Sequence, residues 1–186
     1  MGRSKPHLLL GHETMLERQI RLLRSVCCSV AVLGPPQVFT GLAVPVFADE
    51  FIGQGPLAGL YTGLRRTRTE YNLFLSCDLP FMEVRFLRYL SGRALEAGAD
   101  VTVPESRERG FHPLCAVYRR RALWAIRESL LAGENKVSRF FRRVRCQVVT
   151  NREIGRARFG PRIFDNMNTP NDYDRARQLL SWSGES

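Results

Sequence analysis

The chain has 186 residues and a formal net charge of +10, with 44% hydrophobic and 25% charged residues, a composition typical of one globular domain. No apolar run approaches the roughly 20 residues of a membrane span, and the N-terminus carries no secretory signal, so we expect a cytoplasmic protein without a membrane partner. Arginine dominates the positive charge, but no helix-turn-helix, zinc-finger or aromatic-interleaved pattern accompanies it, so nucleic acid is not an expected partner.

The first half of the chain predicts two helices and three strands. Thr14 and Glu17 have the spacing of a capping box, which satisfies backbone donors at a helix start. Pro45 cannot donate a ladder hydrogen bond, so its strand should lie at an edge or contain a bulge. The predicted elements are a helix from 14 to about 25, strands at 28–34 and 42–49, a helix at 55–67 and a strand at 71–77.

The second half continues the same alternation of helices and strands. Its first helix has an apolar face formed mostly by Phe86, Leu87, Leu90 and Leu95. The predicted elements are a helix at 83–97, strands at 99–105 and 113–119, helices at 120–132 and 134–143, a strand at 145–150 and a last helix from Pro170.

This alternation indicates an α/β sandwich with a mainly parallel sheet and right-handed crossovers. No linker or repeat interrupts it, so we expect a single domain that spans residues 1–186. Open parallel sheets bind their ligands beyond the carboxyl ends of the strands. The polar residues that follow predicted strands are therefore the candidates for a site: Asp49, Asp78, Glu105 with His112, and Asn166 with Asn168.

The cysteines predict no metal or redox site. They are Cys27, Cys28, Cys77, Cys115 and Cys146, and no pair has the two-residue spacing of such motifs. Four of them lie in strand-like apolar runs, where buried reduced thiols are expected. Cys77 has no obvious histidine partner and is interpreted as a packing residue.

The segment "LFLSCDLPF" (73–81) presents the best-defined candidate, Asp78. Magnesium binds through one or two carboxylates together with substrate phosphates, so this aspartate suits a nucleotide–metal site. It could equally be a turn residue that caps the following helix, and the segment alone leaves both interpretations open.

Three further segments carry weaker signals. "GQGPLAGLYTGL" (53–64) is a glycine-rich entry to a helix, where a backbone can approach an anion, although it is not a Walker A loop. Asp49 either accepts hydrogen bonds from a ligand or merely ends a strand, and His112 is either a structural turn residue or a catalyst. Before the helix that starts at Pro170, Thr169 or Asn168 could be an ordinary N-cap. Asn166 and Asn168 also lie at alternate positions and face the same side, which a single cap does not require.

The order of these pieces resembles the molybdenum cofactor guanylyltransferase family from Met1 to about Arg177. The resemblance rests on Lys5 followed by "LLLG", then Asp49, "GPLAG", "CDLPF", "HPLCAVY" and "NMNTP". It implies a Rossmann-like three-layer sandwich of the nucleotide-diphospho-sugar transferase type. The implied activity is transfer of GMP from GTP to the terminal phosphate of molybdopterin, with Mg²⁺ as cofactor and pyrophosphate as the released product.

The resemblance also assigns roles to individual residues. Lys5 and Asp78 match catalytic positions: the lysine contacts the GTP phosphates, and the aspartate holds Mg²⁺ and the nucleotide. Nucleotide binding further involves Asp49 and the loop near the guanine, and the pterin contacts two asparagines. The matching residues are Gly55, Pro56, Leu57 and Gly59 for the loop, and Asn166 and Asn168 for the pterin.

Other functions remain open at this point. The chain could be a cytidylyltransferase or another small-molecule nucleotidyltransferase of the same fold. It could also be an inactive homologue whose arginines, clustered between Arg139 and Arg145, bind anions or a protein partner. The resemblance leaves transient contacts with other cofactor-biosynthesis proteins open as well.

The family pattern begins upstream of Lys5, with a buried strand, a Leu-Ala-Gly-Gly type loop and a Ser-x-Arg-Met-Gly segment, of which only Met1-Gly2 is present. A misassigned start codon, an artificial shortening and a decayed relative are the competing explanations, and we favour the first because Met1 coincides with the methionine of that segment. We expect a chain without the first strand to be poorly stable and to bind GTP weakly, because a gap in the sheet exposes unpaired backbone.

We therefore predict about 15–20 further N-terminal residues in the natural protein, enough for one strand and a short loop. Reading the coding DNA upstream of Met1 in frame tests this, and an immediate stop codon would contradict it. Chemical denaturation of this chain beside an upstream-extended one should give the lower midpoint for this chain, and equal midpoints would count against the stability argument.

Overall fold

A computed structural model describes residues 5–181, with only the backbone of Lys5, Ser138 and Ser181. Nine strands occur in this part of the chain, most of them where the alternation of apolar residues predicts them. The strands are β1 (Leu9–Leu10), β2 (Glu13–Thr14), β3 (Val32–Leu33), β4 (Val46–Phe47), β5 (Tyr71–Leu75), β6 (Val101–Ser106), β7 (Gly110–Phe111), β8 (Cys115–Arg119) and β9 (Cys146–Val149).

Seven α-helices separate them within the same residues. They are α1 (Met15–Arg24), α2 (Pro56–Arg66), α3 (Val84–Ala97), α4 (Ala122–Leu131), α5 (Val137–Phe140), α6 (Asn151–Arg156) and α7 (Pro170–Ser181). Thr14 caps α1 through the predicted box with Glu17, and Pro56 occupies the first turn of α2. Over residues 5–181 we find no helix long and apolar enough to cross a membrane.

The larger sheet has β8 at its centre, antiparallel to its neighbours. β5 and β6 pair with the two edges of β8, and β9 pairs in parallel with β6. β5, β6 and β9 therefore run in the same direction. β3 and β4 form a separate parallel pair. The predicted α/β sandwich is confirmed, and two strands of the larger sheet, β8 and the short β7, run against the others.

Helices cover both faces of the larger sheet. One face packs α3 and Leu22 of α1 against a core that contains Cys115 and Val117 of β8. The other packs α2 and α4 against Ala116 and Tyr118 of the same strand. Successive residues of β8 thus point into two different cores, which is why the strand reads as a continuous apolar run.

An apolar cleft of about 750 Å³ lies between β3 and β5. It is lined by both strands, by α1 and by α2. One end of the cleft contributes to the candidate site described below.

Several predictions at the element ends were wrong. The strand at 28–34 is reduced to Val32–Leu33, and the helix at 134–143 is α5 followed by a short 3₁₀ turn. Leu95 is 63% exposed and is not part of the apolar face of α3, where Ala94 is buried instead. Helix α6 was not predicted, although Thr150 and Glu153 form a complete capping box at its start.

Gly63 allows α2 to approach the sheets closely. A Cβ atom at this position would lie 2.7 Å from two ring carbons of Phe74 and 3.1 Å from Cδ1 of Leu33. These distances are shorter than ordinary van der Waals contact, so any side chain at Gly63 must push the helix or its neighbours away.

We predict that Gly63→Ala lowers the free energy of unfolding by about 1–2 kcal/mol, because overpacking outweighs the gain in helix propensity. Gly92→Ala is the matched control, since a Cβ atom at Gly92, within α3, would meet no neighbouring side chain within 4 Å. It should raise the free energy of unfolding by about 0.5–1 kcal/mol. Urea denaturation measures both, and a stabilised Gly63→Ala variant would contradict the packing argument.

Candidate active site

Asp78 lies just beyond the carboxyl end of β5, and both of its carboxylate oxygens accept a hydrogen bond. Ser76 Oγ donates to Oδ1 over 2.6 Å, and Asn166 Nδ2 donates to Oδ2 over 3.0 Å. The side chain is half-buried, so solvent and ligands still reach it. These two bonds fix the orientation of the carboxylate and leave lone pairs for further partners.

The segment that carries Asn166 is attached to Asp78 through the backbone as well. The amide N of Met167 donates to the carbonyl O of Asp78 over 2.8 Å, and the Met167 side chain is fully buried. Two candidate residues that are 88 positions apart in the sequence are thereby brought into direct contact.

Asn168 lies on the same segment, and its backbone takes part in the start of α7. Its amide N donates to Oδ2 of Asp172, which also accepts from the amide N of Thr169. Asp172 and Thr169 form a reciprocal cap at this helix start. The backbone of Asn168 thus belongs to the helix cap predicted for this segment, whereas the residue itself is exposed.

Asp49 follows β4 and faces the start of α2. A Cβ atom added to Gly59 would lie 3.7 Å from Oδ1 of Asp49. This oxygen is buried and has no hydrogen-bond partner among the described residues, and burial raises the pKa of the carboxyl group. A buried acceptor without a donor is unusual in a native fold, and a ligand donor would satisfy it.

The backbone of the glycine-rich segment is held in a conformation that other residues avoid. Gly55 caps α2 with φ 66° and ψ −157°, a region that is open almost only to glycine. Asp49, Gly55, Pro56 and Gly59 line one end of the cleft together with Ser76 and Cys77. The N-terminal end of α2 therefore lies near Asp49, and a helix N-terminus is a favourable place for an anion.

Two predicted site residues are placed differently. The side chain of Leu57 is fully buried in the core beneath α2, so a ligand can reach only its backbone. Lys5 begins a 3₁₀ turn, Lys5–His7, but its side chain lies outside the described part of the structure. Pro6, the next residue, borders the cleft.

His112 is a structural residue. Its ring stacks on Phe164 with centroids 4.0 Å apart, and Nε2 is hydrogen-bonded to Ser106 Oγ over 2.8 Å. Burial, with a further contribution from Arg109, lowers its pKa from 6.5 to about 4. The imidazole is therefore neutral at physiological pH.

Sequence reasoning overlooked Ser76 and Ser106, which orient Asp78 and His112. Ser76 stands two residues before Asp78, a spacing at which a hydroxyl and a carboxylate can meet in a turn. Ser106 gave no comparable signal, because its contact with His112 spans the short β6–β7 hairpin.

Within residues 5–181, no group of three His, Cys, Asp or Glu side chains could hold a metal ion. A magnesium site does not require one, since Mg²⁺ takes one or two carboxylates and completes its shell with water and substrate phosphates. Asp78, oriented by two hydrogen bonds and still accessible, fits that requirement.

The chain is similar in sequence and in fold to known proteins. The family model described as MobA-like NTP transferase domain matches residues 1–149. A probable molybdenum cofactor guanylyltransferase of Opitutus terrae is 34% identical, covering 96% of this chain and 89% of its own. One from Pelotomaculum thermopropionicum is 33% identical over 96% and 86%. The crystal structure of molybdopterin-guanine dinucleotide biosynthesis protein A from Archaeoglobus fulgidus is 20% identical, with a TM-score of 0.83 over 97% and 92%, and shows the same fold.

The lowered pKa of His112 predicts a pH dependence of stability. Between pH 6.5 and about 4 the unfolded chain binds a proton that the folded chain does not. The stability that depends on a neutral His112 is therefore fully present above pH 6.5 and is lost as the pH falls towards 4. His112→Phe keeps an aromatic ring against Phe164. Between pH 4 and 7, the urea midpoint of this variant should change less steeply with pH than that of the parent chain. An unchanged slope would contradict the assignment.

Proposed function

Because the chain belongs to the MobA-like NTP transferase family, we propose that it is a molybdenum cofactor guanylyltransferase. It transfers GMP from GTP to the terminal phosphate of molybdopterin and releases pyrophosphate. The observation that carries the proposal is the hydrogen bond between Asp78 and Asn166. In the family resemblance, Asp78 corresponds to the residue that holds the metal and the nucleotide, and Asn166 corresponds to a residue that contacts the pterin. The bond therefore joins the two halves of the proposed site. Its expected location is the cytoplasm.

In this proposal Asp78 holds the nucleotide through Mg²⁺. The ion would neutralise charge on the triphosphate and on the departing pyrophosphate. The role of the protein is to fix the position of the carboxylate, and the bonds from Ser76 and Asn166 do so. Lys5 is proposed to add a second positive charge beside the phosphates.

The guanine side is proposed to lie at the start of α2. Asp49 offers a buried carboxylate oxygen without a partner among residues 5–181, which suits a donor of the base or the sugar. Gly55 and Gly59 leave room for the ligand, and the positive end of the α2 dipole complements negative charge. Pro56 and Leu57 contribute backbone and helix geometry rather than side-chain contacts.

The acceptor side is proposed to lie against Asn166 and Asn168. Asn166 is tied to Asp78, so the acceptor phosphate would arrive next to the nucleotide. The bond from the α-phosphorus to an acceptor oxygen forms while the bond to the β-phosphate oxygen breaks, and pyrophosphate leaves with that electron pair. The acceptor phosphate is already ionised, so no general base is required, and the barrier is largely the repulsion between two anions.

We predict that Asp78→Asn lowers the rate of pyrophosphate release from GTP, with molybdopterin and Mg²⁺ present, by about 100-fold or more. The amide keeps the shape of the side chain, so the melting temperature should change little. Glu96→Gln is the matched control: it removes a carboxylate that pairs with Arg93 on the exposed side of α3, and it should retain full activity.

The same assay separates the alternatives. Turnover with GTP that exceeds turnover with CTP supports the guanylyltransferase, whereas a preference for CTP refutes it. Turnover that is unaffected by Asp78→Asn would refute the assignment of Asp78.

A further inference from the structure

Helix α4 carries two large apolar side chains on the side that faces away from the sheet. Its core side is formed by residues such as Ala122, Ile126 and Leu130, whereas Trp124 and Leu131 are 67% and 62% exposed. These two residues are seven positions apart, which is close to two helical turns, so they lie on one stripe of the helix. An exposed apolar stripe is typical of an interaction surface.

A surface hollow of about 450 Å³ adjoins this stripe. It is lined by Tyr61 and Arg65 of α2 and by Leu123, Trp124 and Arg127 of α4. The lining therefore combines aromatic rings with two guanidinium groups and contains no carboxylate. Tryptophan, tyrosine and arginine are enriched among the residues that dominate the binding energy of protein interfaces.

The two arginines of the hollow differ in their partners. Arg65 pairs with the carboxylate of Glu50. The exposed side chain of Arg127 forms no hydrogen bond or ion pair with the rest of the chain between residues 5 and 181. Glu128, which is also exposed on α4, does not line the hollow. The hollow thus has an uncompensated positive charge, and the net charge of +10 adds long-range attraction for an acidic partner.

A second copy of this chain fits the surface poorly. In a two-fold dimer the same patch meets itself, so each copy would bring its Arg65 and Arg127 towards those of the other without supplying carboxylates. Like charges that face each other across an interface oppose association. Nucleic acid fits less well than an acidic protein, because phosphates would pair with the arginines but leave Leu131 uncovered.

The spacing along α4 defines the partner further. At a rise of about 1.5 Å per residue, Trp124 and Leu131 are about 10.5 Å apart along the helix axis, and Arg127 lies between them. A peptide in the polyproline II conformation advances about 3.1 Å per residue and presents every third residue on the same side. Two of its residues that are three positions apart are therefore separated by about 9.3 Å, which matches the spacing of the two apolar side chains.

We propose that the hollow and Leu131 together form a docking surface for an extended acidic protein segment with two apolar anchor residues three positions apart. One anchor packs on the indole of Trp124, and the other packs on Leu131. The carboxylates beside the anchors pair with Arg127 and share Arg65 with Glu50. None of the residues assigned to the candidate active site belongs to this surface, so the inference does not rest on the proposed enzymatic activity.

The test uses a fluorescein-labelled synthetic peptide of eight residues, with a phenylalanine and a leucine three positions apart and glutamates at all other positions. Fluorescence anisotropy with the full chain should show saturable binding that weakens as salt is added. One control peptide has serines in place of both apolar residues, and the other has glutamines in place of the glutamates. Each should bind at least about 10-fold more weakly, because each lacks one of the two kinds of contact.

Tryptophan fluorescence reports the contact itself. The chain has two tryptophans, Trp124 and Trp182, and the second lies outside the described residues. Trp182→Phe therefore leaves Trp124 as the only indole. Binding of the unlabelled peptide, which contains no tryptophan, should shift the emission to shorter wavelength, because the exposed ring loses its contact with water.

Protein variants locate the binding site. Trp124→Ala and Arg127→Glu change exposed residues, so both should fold normally, and each should weaken peptide binding at least about 10-fold. Leu95→Ala is the apolar control, since it removes a similarly exposed side chain from α3. Arg152→Glu is the charge control on α6, where the residue is exposed. Both controls should bind within about twofold of the parent chain.

Four outcomes would overturn the proposal. An absence of saturable binding would show that the surface does not take such a segment, and equal binding of the serine peptide would show charge attraction without docking. Unchanged affinity in Trp124→Ala would place the binding elsewhere. A dimer of the free chain in sedimentation equilibrium that Trp124→Ala dissociates would assign the surface to a second copy.

Discussion

The antiparallel ladder between β5 and β8 determines where the candidate site can form. It runs without interruption from Tyr71 opposite Arg119 to Leu75 opposite Cys115, and the amide N of Ser76 extends it by donating to the carbonyl O of Leu114 over 2.6 Å. Since the other edge of β5 faces the cleft, this ladder and the helices on each face hold the strand. Asp78 takes its position from that strand end, and the loop before α7 is then attached to Asp78.

The electrostatics of the site differ from those of the whole chain. The net charge of +10 attracts anionic ligands at long range, but the residues at the strand ends are two carboxylates and a neutral imidazole. Asp49 is desolvated, and Asp78 is bonded by neutral donors, Ser76 and Asn166. The long-range field thus favours anions near the protein, while the local groups of the candidate site suit a ligand that brings donors or a cation with it.

Local sequence patterns predict most elements because their signals are short-range. The capping box at Thr14 and the proline of α2 are recognisable in the sequence, whereas the same box at Thr150 was overlooked although the signal was present. Leu95 shows the limit of helical periodicity, since spacing does not reveal whether a neighbouring element covers that part of the face. The contact between Asp78 and Asn166 could not be derived from spacing, because it depends on how distant segments return to one sheet edge. The resemblance placed both residues in one site but did not give their hydrogen bond.

The single amide that links Asp78 to Asn166 has a thermodynamic consequence. Nδ2 of Asn166 cannot donate to Oδ2 of Asp78 and to a ligand along the same N–H bond. A ligand that accepts this hydrogen bond in place of Asp78 leaves the carboxylate with one donor fewer. The charge distribution and the orientation of the carboxylate then change. Any resulting gain or loss of affinity must be reciprocal: whatever factor the first ligand imposes on the second, the second imposes on the first. Occupancy of the two halves of the candidate site would be coupled to the extent that a ligand at either residue strengthens or weakens this hydrogen bond.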